Sequence, residues 1–167
     1  NILSSAVDIV VSTTTDTITL EHATLTAPEM HFSLSGEFNN LLGNIDANLK
    51  GNTPTLNIFS SLLGLPDLTG QSNITIELHR QESSSPIEGT ATVSFNNMNW
   101  GIQALQGALG DNATLSGIYN FSPTDWSISL NKLKLTAKNV YAEGLINFQK
   151  KYIDSSINLI IPNLQLI

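Results

Sequence analysis

The chain has 167 residues, of which 41% are apolar and only 13% charged, and its net charge is −7. Charged residues stand at about half their usual globular share of about 25%, and Asn, Ser and Thr take up the difference. An acidic chain lacks the clustered Lys and Arg that a nucleic-acid backbone demands; the absence of Cys excludes disulfide and thiol chemistry; and no run of about 18 apolar residues is present to span a bilayer as a helix.

Alternation with period two dominates, the mark of strands with one buried face. Val7, Ile9 and Val11 alternate with Asp8, Val10 and Ser12. Ile18 and Leu20 mark one side of a short strand after Asp16. Met30, Phe32, Leu34 and Phe38 share a parity, with Gly36 among them. Ile45, Ala47 and Leu49 follow a polar turn around Asn39 and Gly43, and Gly51-Asn52-Thr53-Pro54 ends that hairpin. Leu56, Phe59, Leu62 and Leu63 are spaced instead as one face of a helix, stopped by Gly64 and Pro66.

Alternation resumes with Ile74, Ile76 and Leu78, and, after a Ser-rich loop from Gln81 to Pro86, with Ile87, Ala91, Val93 and Phe95. Ile102, Leu105 and Leu109, closed by Gly110, predict a second, shorter helix. Both helices are too short to stand alone, so each must dock, either as a plug on the end of a β core or as a lid on a groove. Ala113, Leu115, Tyr119 and Phe121 lead into the turn Ser122-Pro123-Thr124-Asp125, where Pro presets φ and Asp bonds nearby backbone. Trp126, Ile128 and Leu130 continue the series, then Leu133, Leu135 and Ala137, then strands from Val140 to Phe148 and from Ile153 to Ile161. Pro162 precedes Leu164, Leu166 and Ile167. The reading is all-β with one or two short helices: roughly eleven short strands, mostly antiparallel neighbours.

Strand-like pattern reaches both ends of the chain, where a free-standing domain would blunt its edges. The expectation is therefore a single segment, 1–167, excised from a longer protein. Leu25-Thr26-Ala27, a strand and Gly36 match Leu135-Thr136-Ala137, a strand and Gly144; Ile45-Asp46 and Ile153-Asp154 follow in turn. We read this as two copies of a β-meander unit, about 20–70 and 71–167.

No catalytic, metal or cofactor site is assigned. His22, His31 and His79 are scattered, without metal-ligand spacing, and read as polar strand residues. The carboxylates are spread roughly one per strand or turn, and the Ser residues include no Gly-x-Ser-x-Gly elbow. Gly107-Ala108-Leu109-Gly110 lacks a phosphate-loop Lys and reads as helix punctuation. Asn73, Asn112 and Asn120 open glycosylation sequons, but with 18 Asn in the chain roughly three or four are expected by chance. What remains is the apolar stripe: Phe32, Leu34, Ile45, Leu49, Ile74, Ile76, Leu78, Val93, Phe95, Leu115, Tyr119, Phe121, Ile128, Leu130, Leu133, Leu135, Ile157 and Leu159. It is core if the sheet closes or packs on another sheet. If the sheet curls without closing, it lines a trough that favours acyl chains at about 0.8 kcal/mol per buried CH₂.

A resemblance favours the trough. Leu62-Leu63-Gly64-Leu65-Pro66, Leu68-Thr69-Gly70, a strand, Pro86-Ile87-Glu88-Gly89-Thr90 and a second strand come in order. Ile102-Gln103-Ala104-Leu105, Leu109-Gly110, Ala113-Thr114-Leu115-Ser116-Gly117, Leu133-Lys134-Leu135-Thr136-Ala137 and Ala142-Glu143-Gly144 follow. In order and spacing, Leu56 to Phe148 resembles the repeating body of the TamB group of AsmA-like proteins. The resemblance implies a Gram-negative periplasmic protein, anchored in the inner membrane by a segment outside this chain. It implies a curled, incompletely closed antiparallel β-sheet, a half-barrel with an apolar concave groove. It also implies phospholipid movement between the membranes, outer-membrane protein assembly, and an outer-membrane β-barrel partner of the TamA type engaged through another part of the protein. The eighteen stripe residues would be its lipid contacts. Alternatives kept open are a chaperone-like cradle for the strands of outer-membrane clients and a structural β module of a surface fibre or adhesin.

Overall fold

The computed structural model describes residues 5–57, 60, 64–65, 67–149 and 152–161. Phe59, Leu62, Leu63 and Pro66 of the first expected helix, Lys150 and Lys151, and Pro162, Leu164, Leu166 and Ile167 lie outside the described residues. Among the described residues ten strands form one sheet: β1 (Ala6–Thr13), β2 (Thr17–Ala27), β3 (Met30–Asn39), β4 (Ile45–Thr53), β5 (Leu68–Arg80), β6 (Ile87–Trp100), β7 (Ala113–Ser122), β8 (Ser127–Ala137), β9 (Tyr141–Gln149) and β10 (Tyr152–Ile160). One short helix, α1 (Gln103–Leu109), lies between β6 and β7. Spatial order equals sequence order and every neighbour is antiparallel, so the fold is a ten-stranded meander.

The strand count is one below the expected number, and the reason is a bulge. Ile128 and Leu130 have even parity, Leu133 and Leu135 odd, which reads as two strands in sequence. They belong to the single strand β8, whose register slips between Leu130 and Leu133 against β9. An extra residue in a strand reverses the parity of everything after it while leaving the same face buried. β2 does the same between Leu20 and Ala23. Trp126, grouped by alternation with Ile128, instead sits in the preceding turn with φ 51°, 74% exposed, its ring edge-on to Phe121 at 6.0 Å.

The core is small and lies at one end of the sheet. Leu56, Leu68 and Met98 are buried, with Leu65, Phe95 and Trp100 packed against them. Phe95 and Trp100 meet edge to face at 5.5 Å. β6 is bulged here opposite Thr69 and Gln71, with Asn97 at φ 52°. α1 has the extent its spacing predicts and ends on Gly110 at φ 68°. Its apolar side chains do not carry the docking, because seven residues bury none of them fully. Hydrogen bonds hold it. The Trp100 indole N–H donates to the Gly110 carbonyl (2.8 Å), Gln106 Nε2 to the Met98 carbonyl (3.0 Å), and Asn139 Nδ2 to the Gly107 carbonyl (2.8 Å). Of the two roles left open for this helix, it takes that of a plug at the strand ends.

No second layer covers the sheet among the described residues. The accessible surface is 10929 Å², against about 8,000 Å² for a compact monomer of 18.0 kDa. Among the described residues the sheet is neither closed nor strongly curled: β1 and β10 are its outermost strands, and strand contacts run between sequence neighbours. The half-barrel with a concave apolar groove is therefore not the shape of the described sheet. Alternation determines which face is apolar, but curvature depends on twist and bulges, which alternation leaves unspecified.

Close approach requires glycine at several strand positions, Gly36 and Gly89 among them. A Cβ on Gly36 would stand 2.6 Å from the Asp46 carbonyl oxygen and 2.7 Å from Ala47 Cβ. One on Gly89 would collide with the Glu77 carbonyl oxygen and meet the Tyr119 hydroxyl at 2.7 Å. At Gly117 the nearest atom, Leu133 Cδ1, is at an ordinary 3.4 Å. We expect Gly89→Ala to lower stability by about 1–3 kcal/mol, as overpacking does, and Gly117→Ala to stay within about 0.5 kcal/mol of the parent. Urea unfolding of both variants measures this. In the same assay Leu68→Ala, a large-to-small change in the end core, should cost about 2–5 kcal/mol.

Candidate functional site

Residues directly opposite one another in adjacent strands share a face, so the register assigns the stripe. Ile45 lies between Phe38 and Arg80, and Phe121, Ile128, Phe148 and Ile153 continue at that level. The next row runs Val11, Leu20, Gly36, Ala47, Leu78, Gly89, Tyr119, Leu130, Ile146 and Ser155, one residue from every strand. A third has Leu34, Leu49, Ile76, Ala91 and Gly117, with Leu133, Gly144 and Ile157 beyond the bulge. A fourth has Phe32, Gly51, Ile74, Val93, Leu115, Leu135, Ala142 and Leu159. Phe95 stands at the plugged end between Ser72 and Ala113. All eighteen sequence candidates thus share one face.

That face is larger than the candidate set. Val7, Ile9, Ile18, Leu25 and Phe38 belong to it, as do Ile146, Phe148 and Ile153. Their alternation was visible, but the bulges in β2 and β8 hide the common face. In mid-sheet the large side chains are half-buried by their neighbours, while Ile9 is 59% and Ile157 58% exposed at the edges. Large residues lie over small ones. Phe32 and Ile74 occupy the space a Cβ on Gly51 would take, and the Tyr119 ring lies over Gly89. These pairs level the face, since an aromatic side chain covers the backbone that a glycine leaves bare.

Arg80 and Tyr119 bring polar groups onto this face, and both are satisfied. Arg80 Nε donates to the Gly43 carbonyl at 2.9 Å. The Tyr119 hydroxyl reaches across Gly89 and donates to the Glu77 carbonyl at 3.0 Å. Burial pushes the Tyr119 hydroxyl above its ordinary pKa, because a phenolate is poorly solvated among apolar side chains.

The opposite face is a mosaic of cross-strand polar pairs. His79 Nδ1 meets Asp46 Oδ1 at 2.6 Å, His22 Nε2 meets Asp8 Oδ2 at 3.0 Å, and His31 Nδ1 meets the Thr26 hydroxyl at 3.0 Å. Asn52 Nδ2 donates to Asn73 Oδ1 at 2.7 Å and Asn120 Nδ2 to Glu88 Oε1 at 2.8 Å. These pairings were not legible in sequence, because each partner lies on the adjacent strand and becomes a neighbour only when the two strands pair. The Tyr141 hydroxyl donates to Glu143 (2.8 Å); that bond first, then desolvation and the carboxylate's charge, hold Tyr141 above its ordinary pKa. Lys134 Nζ stands 5.4 Å from the Tyr141 ring centre.

Two shallow indentations lie along this polar face. One of about 460 Å³ is bordered by Ser35, Asp46, Asn48, Glu77, His79 and Thr90, and one of about 420 Å³ by Lys134, Glu143, Ser156 and Asn158. Leu78 and Leu133 border them; the other stripe residues do not. Among the described residues no other element covers the apolar face, which stands as an open platform. Among the described residues no three metal-ligating side chains gather, and no helix is long and apolar enough to cross a membrane.

No family model, curated protein or solved structure matches this chain.

Tyr119 supplies a check on this geometry. A raised pKa means that the folded state holds the phenolic proton more tightly than the unfolded chain, so this contribution is present below about pH 10 and is lost as pH rises through the folded value. The chain should lose thermal stability above pH 10, and Tyr119→Phe should lose less across the same interval. Melting curves between pH 8 and 11 test this.

Proposed function

We propose that the apolar face binds the acyl chains of phospholipids or fatty acids, and that the chain is a segment of a longer periplasmic protein carrying lipid between two membranes. One observation carries the reading: aliphatic and aromatic side chains recur on one face of all ten strands, and no other element among the described residues covers them. Monomeric soluble proteins rarely expose contiguous apolar patches of more than a few hundred Å² unless something binds there. A surface of Ile, Leu, Val and Phe offers no hydrogen-bonding code, so it discriminates by length of hydrocarbon, at about 0.8 kcal/mol per buried CH₂. Acyl chains would lie along the rows with their headgroups at the solvent side. Within a longer sheet this segment would form one wall of an open trough.

The resemblance to the TamB group of AsmA-like proteins supports the same reading. It adds an inner-membrane anchor elsewhere in the protein, a role in outer-membrane protein assembly, and an outer-membrane β-barrel partner. The mechanism in this reading is passive, with no catalytic residue and no cofactor.

Leu115 and Ile128 are the positions for a test, because they lie within the face yet are 37% and 41% exposed. Native mass spectrometry of the chain, purified gently from a Gram-negative host, should show bound phospholipid or fatty acid. Leu115→Arg should weaken that binding roughly tenfold or more, the worth of two or more methylene contacts. Ser116→Arg, on the opposite face, should not. A parent that carries no lipid and binds no apolar dye would refute the reading.

A further inference from the structure

Between the outermost strands, the most exposed large apolar side chains stand on two hairpin turns at one end of the sheet. In a meander of antiparallel neighbours the β1–β2, β3–β4, β5–β6 and β7–β8 turns share an end, opposite the plug. Leu41 and Leu42 on the β3–β4 turn are 74% and 62% exposed, and Trp126 on the β7–β8 turn is 74% exposed. From β2 to β9 no other described large apolar side chain passes 45%. Strands added to the sheet would lie beside β1 or β10 and would leave these turns where they are.

Neither turn needs these residues for its own shape. The β3–β4 turn is tied through its backbone and Asn39. Asn39 Oδ1 accepts from the Leu41 and Leu42 amides (3.1 and 3.0 Å), and the Gly43 amide donates to the Asn39 carbonyl (2.8 Å). The Asn40 amide donates to the Asp16 carbonyl (2.7 Å), the Ser83 amide to the Leu42 carbonyl (3.1 Å) and Arg80 Nε to the Gly43 carbonyl. Adjacent exposed leucines on a rigid turn run against ordinary patterning, in which turns are polar unless function requires otherwise. Trp126 has φ 51°, the left-handed region that bulky residues rarely adopt, and such strain gathers at functional sites. Its ring meets Phe121 edge-on. Phe121 stands with Phe38, Ile45 and Ile128 in the row of the apolar face nearest this end, so the face runs out over the turn.

We propose that this end of the sheet docks on a phospholipid bilayer, with Leu41, Leu42 and Trp126 inserted at the level of the headgroups and first methylenes. The two turns lie four strand spacings apart, about 19 Å, with the polar, Ser-rich Gln81–Pro86 loop between them. A pocket in a partner protein would have to match both tips at once, whereas a bilayer interface takes apolar tips at any spacing. It also suits Trp, whose ring is apolar and whose N–H is polar. The described turns at this end carry Asp16, Glu82 and Asp125 and no Lys or Arg, and the chain has a net charge of −7. Hydrocarbon therefore supplies the attraction, and neutral lipid suffices. This docking rests on the acyl-chain reading, in which a bilayer gives or receives the lipid and Trp126 and Phe121 join it to the face.

The probe is phosphatidylcholine vesicles, with and without lipid brominated near the headgroup end of its acyl chains, mixed with the full chain. The chain should float with the vesicles, and brominated lipid should quench Trp126. Trp126→Asn leaves Trp100 as the one tryptophan, and its emission should not change, because Trp100 packs at the plugged end. Leu41→Ser combined with Leu42→Ser should lower partitioning roughly tenfold, as the loss of about two inserted methylenes would. Circular dichroism checks folding; if the double variant is unfolded, the quenching of Trp126 decides alone. A chain that holds lipid by native mass spectrometry but does not float overturns the docking and leaves the acyl-chain reading standing. Flotation lost in the double variant, from a chain that holds no lipid, upholds the docking and removes that reading. Flotation lost in Leu115→Arg but kept in the double variant would assign the vesicle to the apolar face and overturn the docking. Self-association abolished by the double variant, without flotation, would overturn it by assigning the turns to a second copy.

Discussion

Main-chain pairing between adjacent strands is the interaction on which the rest of this structure depends. A buried N–H or carbonyl without a partner costs as much as a lost hydrogen bond, and in most domains a second layer shares the work of holding the fold. Here the described residues supply no second layer, so each strand is held by its two neighbours in the sheet and each edge strand by one. The exposure gradient follows directly. Side chains in mid-sheet are covered from both sides and those on β10 are all exposed. Among the described residues, side chains are buried as in an ordinary core at the plugged end, where Leu56, Leu68 and Met98 meet.

A sheet supported in this way has two faces with different chemistry. The polar face satisfies itself through cross-strand pairs such as Asp46 with His79 and Glu88 with Asn120, which hold register at little net stability because they are exposed. The apolar face has no comparable internal solution. Its large residues lie over glycines, Phe32 on Gly51 and Tyr119 on Gly89, which lowers the exposed hydrocarbon and flattens the surface without covering it. A level, chemically uniform face suits a ligand that is itself long and uniform. That is the physical link between the architecture and the acyl-chain reading.

Alternation made the all-β class, the shared face of the eighteen stripe residues and most strand positions legible, because a pleated strand places every second side chain on the same side whatever surrounds it; the extent of α1 came instead from the helical spacing of Ile102, Leu105 and Leu109. Where it failed, the cause was local. One extra residue in β8 split a single strand into two apparent ones, and Trp126 matched the parity of a strand it does not enter. The three histidines carried no signal of their partners, since Asp8, Thr26 and Asp46 become neighbours only when strands pair.

By itself, then, the sequence determined which residues are strands and which of their faces is apolar, through a periodicity that is a property of the backbone alone. Tertiary structure decided what becomes of that face. Whether an apolar stripe becomes a sealed core, a curled groove or an open platform depends on the accumulated twist, the bulges in β2, β6 and β8, and whether any element packs over it. These are sums over many residue pairs and are written in no single motif, and among the described residues they leave the sheet open and single-layered.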